Sequence, residues 1–181
     1  MDDIWKIISA IATPIGLLLT SAGLALSVKV MRNNHDWNRR QYAMNIVGSW
    51  SQETGDHSRA IEEYFPSIRG RSNEAGDLGE ISKEVALKIL RAEKGTPEFE
   101  IRFHIVSMMN YFEHVVAAYA NCVADEKIIT DHLRNPIDKW VHALGNFNEI
   151  AEQEWGYQPW EPLIQMVSFW NSKHVRIRPP T

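Results

Sequence analysis

From Ile7 to Val28 the chain reads "IISAIATPIGLLLTSAGLALSV", a run without one charged side chain. As a helix at ~1.5 Å per residue it spans roughly 33 Å, enough to cross a bilayer's hydrocarbon core. A helix buried in a soluble core would normally keep some polar face, and this run offers none. A cleaved signal peptide is the rival reading, because the small residues from Ser21 to Ala25 suit a peptidase. Against it, Met1-Asp2-Asp3 is acidic where a signal peptide is basic, and the run is longer than a usual hydrophobic region. The sequence therefore predicts an uncleaved membrane anchor over residues 1–31 and a second unit over residues 32–181.

Flanking charge orients the anchor. Lys29, Arg32, Arg39 and Arg40 follow the run, whereas Lys6 and the terminal amine are offset by Asp2 and Asp3. Basic residues stay inside, so the amino terminus is expected outside an inner (cell) membrane and the remainder in the cytoplasm, with the four basic residues at the membrane surface. Within the run, Pro14 removes one helical hydrogen bond, which membrane helices tolerate. Ala12, Gly16, Thr20, Gly23 and Ser27 recur at spacings of three and four and form a face of small residues. Such a face lets helices pack closely in lipid, and with it a homo-oligomer is expected.

The remainder holds 17 of the 19 basic and 21 of the 23 acidic residues, so it alone carries the chain's net charge of −4 (17 against 21). That balance argues against nucleic acid as a partner. A hydrophobic content of 44% with seven tryptophans is ample for a packed core. The single cysteine, Cys122, allows no internal disulfide and fits a reducing compartment; its apolar surroundings predict a buried, inert thiol.

No segment shows sustained strand alternation, so the expected fold is all-α: a transmembrane helix followed by a cytoplasmic bundle of about five helices. "NRRQYAMNIVGSW" continues the membrane helix inward, and "HSRAIEEYF" forms a second helix that stops near Pro66. Residues 69–80, "RGRSNEAGDLGE", read as a mobile loop. "ISKEVALKILRAEKG" is the next helix, ending at Gly95. Thr96, Pro97 and Glu98 then mark a strong helix start, and from Ile101 that helix is apolar on nearly every side, as a central helix would be. Asp125 caps another helix, which Asn135-Pro136 either kinks or restarts. A last helix, "EPLIQMVSFW", follows the turn from Gly156 to Pro159, and the basic tail "KHVRIRPPT" should fray.

Glu113 is the anomaly of the central helix, sharing a stripe with Val106, Met109, Val116 and Ala120. A charged carboxylate there needs a partner. Arg40, Arg59, Arg69 and Lys139 are the candidates, and Asn110, one turn earlier, is expected to form with Glu113 a polar clasp that fixes helix register.

Signals for chemistry are sparse. The seven histidines show neither a His-x-x-x-His nor a His-Glu-x-x-His pair, no nucleotide loop is present, and no metal or cofactor is expected. Nothing demands catalysis. "RNPIDKWVH", Arg134 to His142, resembles the Arg…His motif of HEPN-class ribonucleases. It departs from that motif because seven residues separate the two and Pro136 intervenes, which on a helix turns His142 about 80° off the face of Arg134.

The stretch "MMNYFEHVVAAYANCVADEKII" (residues 108–129), with Trp140 and "PWEPLIQMVSFW", resembles a family of small bacterial and phage proteins of unknown function. These have an amino-terminal membrane helix and a helical cytoplasmic domain with an Asn-Tyr-Phe-Glu box. The resemblance implies a core role for Asn110 and Glu113 and no mechanism. Together these readings give a membrane-anchored helical protein that acts by binding an unknown protein partner or by oligomerising. A membrane-disrupting effector of phage defence and a HEPN-like ribonuclease are the alternatives.

Overall fold

Between Met1 and Pro66 the sequence holds a single proline, Pro14, so little forces a helix to stop once it has begun. In the computed structural model, which describes the backbone of residues 2–69 and 79–174 and the side chains of residues 19–68 and 79–172, one helix indeed runs throughout. This helix, α1, spans Asp2–Tyr64, about 95 Å at ~1.5 Å per residue. The separate helix expected from His57 is therefore a continuation. Through the polar stretch around Gly48 and Gly55 the helix stays packed on α4 by Trp50 and Thr54, and its hydroxyls turn back on the helix. Ser49 Oγ donates to the Ile46 carbonyl, Thr54 Oγ1 to that of Trp50 and Ser58 Oγ to that of Gly55. Polar side chains are thus satisfied locally and do not pull the backbone out of register. α1 stops before Pro66, which opens the short α2 (Pro66–Arg69).

The next helix, α3 (Lys83–Leu90), begins at the Ser82 cap and is shorter than expected. It ends when the Arg91 and Ala92 amides bond back to Leu87 and Ile89. Gly95, at φ +91°, shapes the following turn and is not the helix cap. In α4 (Pro97–Ala120) Thr96 caps the Phe99 amide and Pro97 opens the helix, as its sequence signals predict. α5 (Glu126–Ala143) is capped by Asp125 and runs unbroken through Pro136. The carbonyl that loses its donor there belongs to His132, which is exposed. α6 (Gly145–Trp155) and α7 (Glu161–His174) complete the chain of seven helices among the described residues. Gly156 takes the left-handed conformation that ends α6 (φ +75°). At Gly79 the reason for glycine is space, since a Cβ would lie 2.7 Å from the Ser67 carbonyl oxygen.

The core forms around α4, which packs against α1, α3, α5 and α7. Ile101, Ile105, Met108, Met109, Phe112, Val115 and Val116 are all buried, and each large side chain removed from water contributes about 1.5–3 kcal/mol. From α1, Ala43, Ile46, Thr54 and Ile61 form one buried stripe facing it. The two helices run antiparallel: Tyr42 meets His114, Trp50 stacks on Phe112 at 5.2 Å, His57 meets His104, and Tyr64 meets Glu98. α7 lies parallel to α4, with Trp160 at Asn110 and Trp170 against Tyr119.

α1 is different before residue 39. Every described side chain from Leu19 to Asn38 is exposed, with Leu24 at 67% and Met31 at 71%. No helix of the described residues is long and apolar enough to cross a membrane. The expected anchor lies partly outside that description, since nothing is described of the side chains of residues 1–18, Ala12 and Gly16 included. The loop expected over 69–80 falls largely outside it as well, as does most of the basic tail.

Cys122 corrects the expectation of a buried thiol. Leaving α4, the chain puts Cys122 in the left-handed region (φ 54°), and its side chain is exposed. Its amide bonds to the Tyr119 carbonyl and that of Val123 to Ala118, the paired bonds of a Schellman ending. The apolar run "VVAAYANCV" concealed a helix end that has no glycine to mark it.

Candidate functional site

The residues expected at a membrane surface divide into two pairs. Lys29 and Arg32 stand exposed on the free part of α1. Arg39 and Arg40 instead fasten α1 to the α4–α5 turn. The Arg39 guanidinium donates to the Ala124 carbonyl at 3.2 Å and lies 3.6 Å from Glu126, and Arg40 lies 3.6 Å from Asp125. The Asp125 amide also donates to the Arg39 carbonyl. Of the small-residue face, Gly23 has open space where a Cβ would be, and Ser27 Oγ donates to the Gly23 carbonyl at 2.9 Å.

Asn110 and Glu113 do not clasp each other. Asn110 reaches across to the α6–α7 turn, where its Oδ1 accepts the Trp160 indole N–H at 2.7 Å. This bond holds an unusual residue in place: Trp160 has φ 57°, a conformation costly for a bulky side chain, yet its ring is almost fully buried. Phe147 stacks on that ring and Trp155 meets it edge-on at 6.0 Å. Among the described residues Glu113 makes no hydrogen bond or ion pair. The cations expected to meet it are engaged elsewhere: Lys139 with Glu62 at 3.1 Å, Arg40 with Asp125, and Arg59 beside Asp56. The side chain of Arg69 lies outside the described residues. Glu113 is half-buried rather than buried, which is how it can do without a partner.

What Glu113 lines is a hollow of about 410 Å³ between α4 and the α6–α7 turn. One wall is Val106, Asn110 and Glu113; the other carries Trp155, Tyr157, Trp160 and Glu161. Tyr157 is 62% exposed and stacks on Trp155. Gln158, which is exposed, also lines a second hollow of about 270 Å³, together with Asn148, Glu149 and Glu152. Asn148 is 94% buried (6% exposed), and its Oδ1 has no donor among the described residues. No basic side chain lines either hollow among the described residues. The chemistry on offer is therefore acceptor oxygens, carboxylates and aromatic faces, which suits a cation or a hydrogen-bond donor.

Arg134 and His142 do not meet. The Arg134 guanidinium donates to the Trp170 carbonyl and to Asn171, while His142 lies 3.7 Å from Glu80, about 12 Å further along α5 by helical rise. A different pair of histidines is brought together, His57 and His104, with Nδ1 atoms 2.8 Å apart. Burial first, and then the charge of His104, lowers the pKa of His57 from 6.5; Asp56 and Glu53 oppose the shift. They are 47 residues apart and meet only once the antiparallel register of α1 on α4 is known. The described residues contain no group of three or more histidine, cysteine or carboxylate side chains arranged for a metal.

The model of a protein family described as "Domain of unknown function (DUF4760)" matches residues 10–170. No curated protein and no solved structure matches the chain.

Proposed function

The chain belongs to the DUF4760 family, whose function is unknown, and on that premise we propose that it is a single-pass membrane protein that holds a helical interaction bundle on the cytoplasmic side. The observation that carries this reading is the free part of α1. From Leu19 to Met31 its large apolar side chains, Leu19, Leu24, Leu26, Val28, Val30 and Met31, are all exposed among the described residues. Such a helix in water would be left with an uncovered apolar surface. Hydrocarbon covers every side of it at once, and the uncharged sequence continues back to Ile7. Trp37, 66% exposed and beyond Lys29 and Arg32, suits the headgroup layer.

The work of such a protein is binding. Its cytoplasmic part offers hollows and an aromatic surface rather than a set of catalytic groups, and self-association through the small-residue face of the anchor would multiply the number of bundles presented together. Topology is testable with the chain's only cysteine, because Cys122 is exposed. A membrane-impermeant maleimide should label it in inverted vesicles and spare it in intact cells, and the chain should resist extraction by alkaline carbonate. Recovery in the aqueous supernatant without detergent would overturn the anchor, and labelling of intact cells would overturn the orientation.

A further inference from the structure

We propose that the paired hollows at the α6–α7 turn receive an arginine side chain presented by a partner protein. The inference rests on the reading of the chain as a binding protein and supplies the chemistry of its partner. Three independent features converge on a guanidinium. Glu113 lines the first hollow with no cation of its own among the described residues. Trp155 and Tyr157 present stacked, exposed rings at the same opening, and a planar cation is attracted to such faces more strongly than a neutral group. In the wall of the second hollow, which shares Gln158 with the first, Asn148 is 94% buried and its Oδ1 has no donor among the described residues. Leaving a buried acceptor empty is costly, and guanidinium, with five N–H donors and no acceptor, is the side-chain group best matched to a carboxylate and amide oxygens.

A phosphate or carboxylate ligand fails on the same residues, since Glu113, Glu152 and Glu161 would repel it. A lysine ammonium would satisfy the charge but use the aromatic faces less well. The Asn110–Trp160 bond has a positioning role: it holds the turn in its left-handed conformation so that Trp155 and Tyr157 stay opposite Glu113.

The test uses the full chain in detergent, titrated with N-acetyl-arginine amide and with its neutral isostere, N-acetyl-citrulline amide, and read by the indole N–H resonances of Trp155 and Trp160. Saturable shifts are expected with the arginine compound and none with the citrulline one. Glu113→Gln should weaken binding about tenfold or more, as expected for a charge-assisted bond, while leaving the unfolding temperature unchanged. Equal binding of both compounds, no binding of either, or full affinity in Glu113→Gln would overturn the inference. Liposome flotation of the same preparation keeps the two readings apart. A chain that floats but ignores arginine loses only the cleft, and one that binds arginine but does not float loses only the anchor.

Discussion

Residues 19–38 and 39–64 belong to the same unbroken helix, yet they meet opposite surroundings. In the second length, Ala43, Ile46, Thr54 and Ile61 lie on one buried stripe, Tyr42, Val47, Trp50 and Tyr64 flank it half-buried, and the opposite side faces water, so the pattern repeats with the helical period. In the first, apolar residues sit on every side and none is buried. The boundary is sharp and has a chemical cause. At Arg39 and Arg40 the helix acquires side chains that bond to the α4–α5 turn, and from that point it has a neighbour. Helical hydrogen bonding carries on across the boundary because it is satisfied within the segment and does not depend on what surrounds it.

The most forceful way to break this comparison is to make the same kind of cut in both lengths. Ile61→Ala removes a fully buried side chain and should lower the bundle's unfolding free energy by about 2–5 kcal/mol. Leu24→Ala, on an exposed residue, should change it by less than about 0.5 kcal/mol. Both are measured on the full chain in detergent by near-ultraviolet circular dichroism against denaturant. A comparable loss from Leu24→Ala would mean that the free length has a protein neighbour.

Much of the bundle was legible in the sequence, because periodicity and charge are local properties. The all-helical class, the Thr96-Pro97 and Asp125 helix starts, the last helix after Gly156 and the central place of α4 all follow from residues within a turn or two of one another. What stayed hidden was either a local choice that no residue type announces or a contact between distant parts of the chain. The continuity of α1 through Gly48 and Gly55 goes with packing on α4 and with hydroxyls choosing their own helix's carbonyls. The exposure of Cys122 follows from a helix end that no glycine announces. Asn110 and Glu113 were expected to clasp each other in the core, but Asn110 is exposed and its partner, Trp160, is 50 residues away. The acidic, aromatic character of the cleft appears only when α6 and α7 fold back on α4.

The boundary itself can be sharpened at Arg39. Its side chain is 25% exposed against 67% for Arg40, and only Arg39 also holds a backbone carbonyl. Arg39→Met should cost about 1–2 kcal/mol through the lost charge-assisted bond, and Arg40→Met about 0–1 kcal/mol, as exposed pairs do. Faster amide hydrogen exchange at Asp125 in the first variant alone would place the difference at the junction. Equal effects would show that both arginines act merely as surface charge.

A smaller effect of opposite sign is expected across the turn from that clasp. Cys122 occupies a left-handed position that costs a side-chain-bearing residue roughly 1–2 kcal/mol, and glycine regains part of this at the expense of a looser unfolded chain. Cys122→Gly should therefore raise stability by up to about 1 kcal/mol, and Cys122→Val, branched at Cβ, should lower it. If both variants were neutral, the turn would not be held in this conformation in solution.

The smallest expected effect concerns how the packed length of α1 responds to acid. His57 on α1 and His104 on α4 share one hydrogen bond, so at least one ring must be neutral to accept it. Burial and the neighbouring ring hold His57 below its ordinary value of 6.5, against the opposing pull of Asp56 and Glu53. A histidine whose pKa is depressed by folding binds its proton more readily when unfolded. Its contribution to stability is complete above the unfolded value and is lost as pH falls through the folded one. The unfolding temperature should thus drop by a few degrees between about pH 7.5 and about pH 5.5, and His57→Phe should flatten that slope. The Lys88–Glu98 and Arg91–Glu154 pairs, which hold their carboxyl groups below the usual range, lose their contribution only in stronger acid. A slope unchanged by His57→Phe would move the sensitivity to other groups. Because the free length of α1 has no such contact, binding to liposomes through it should be indifferent to the same substitution.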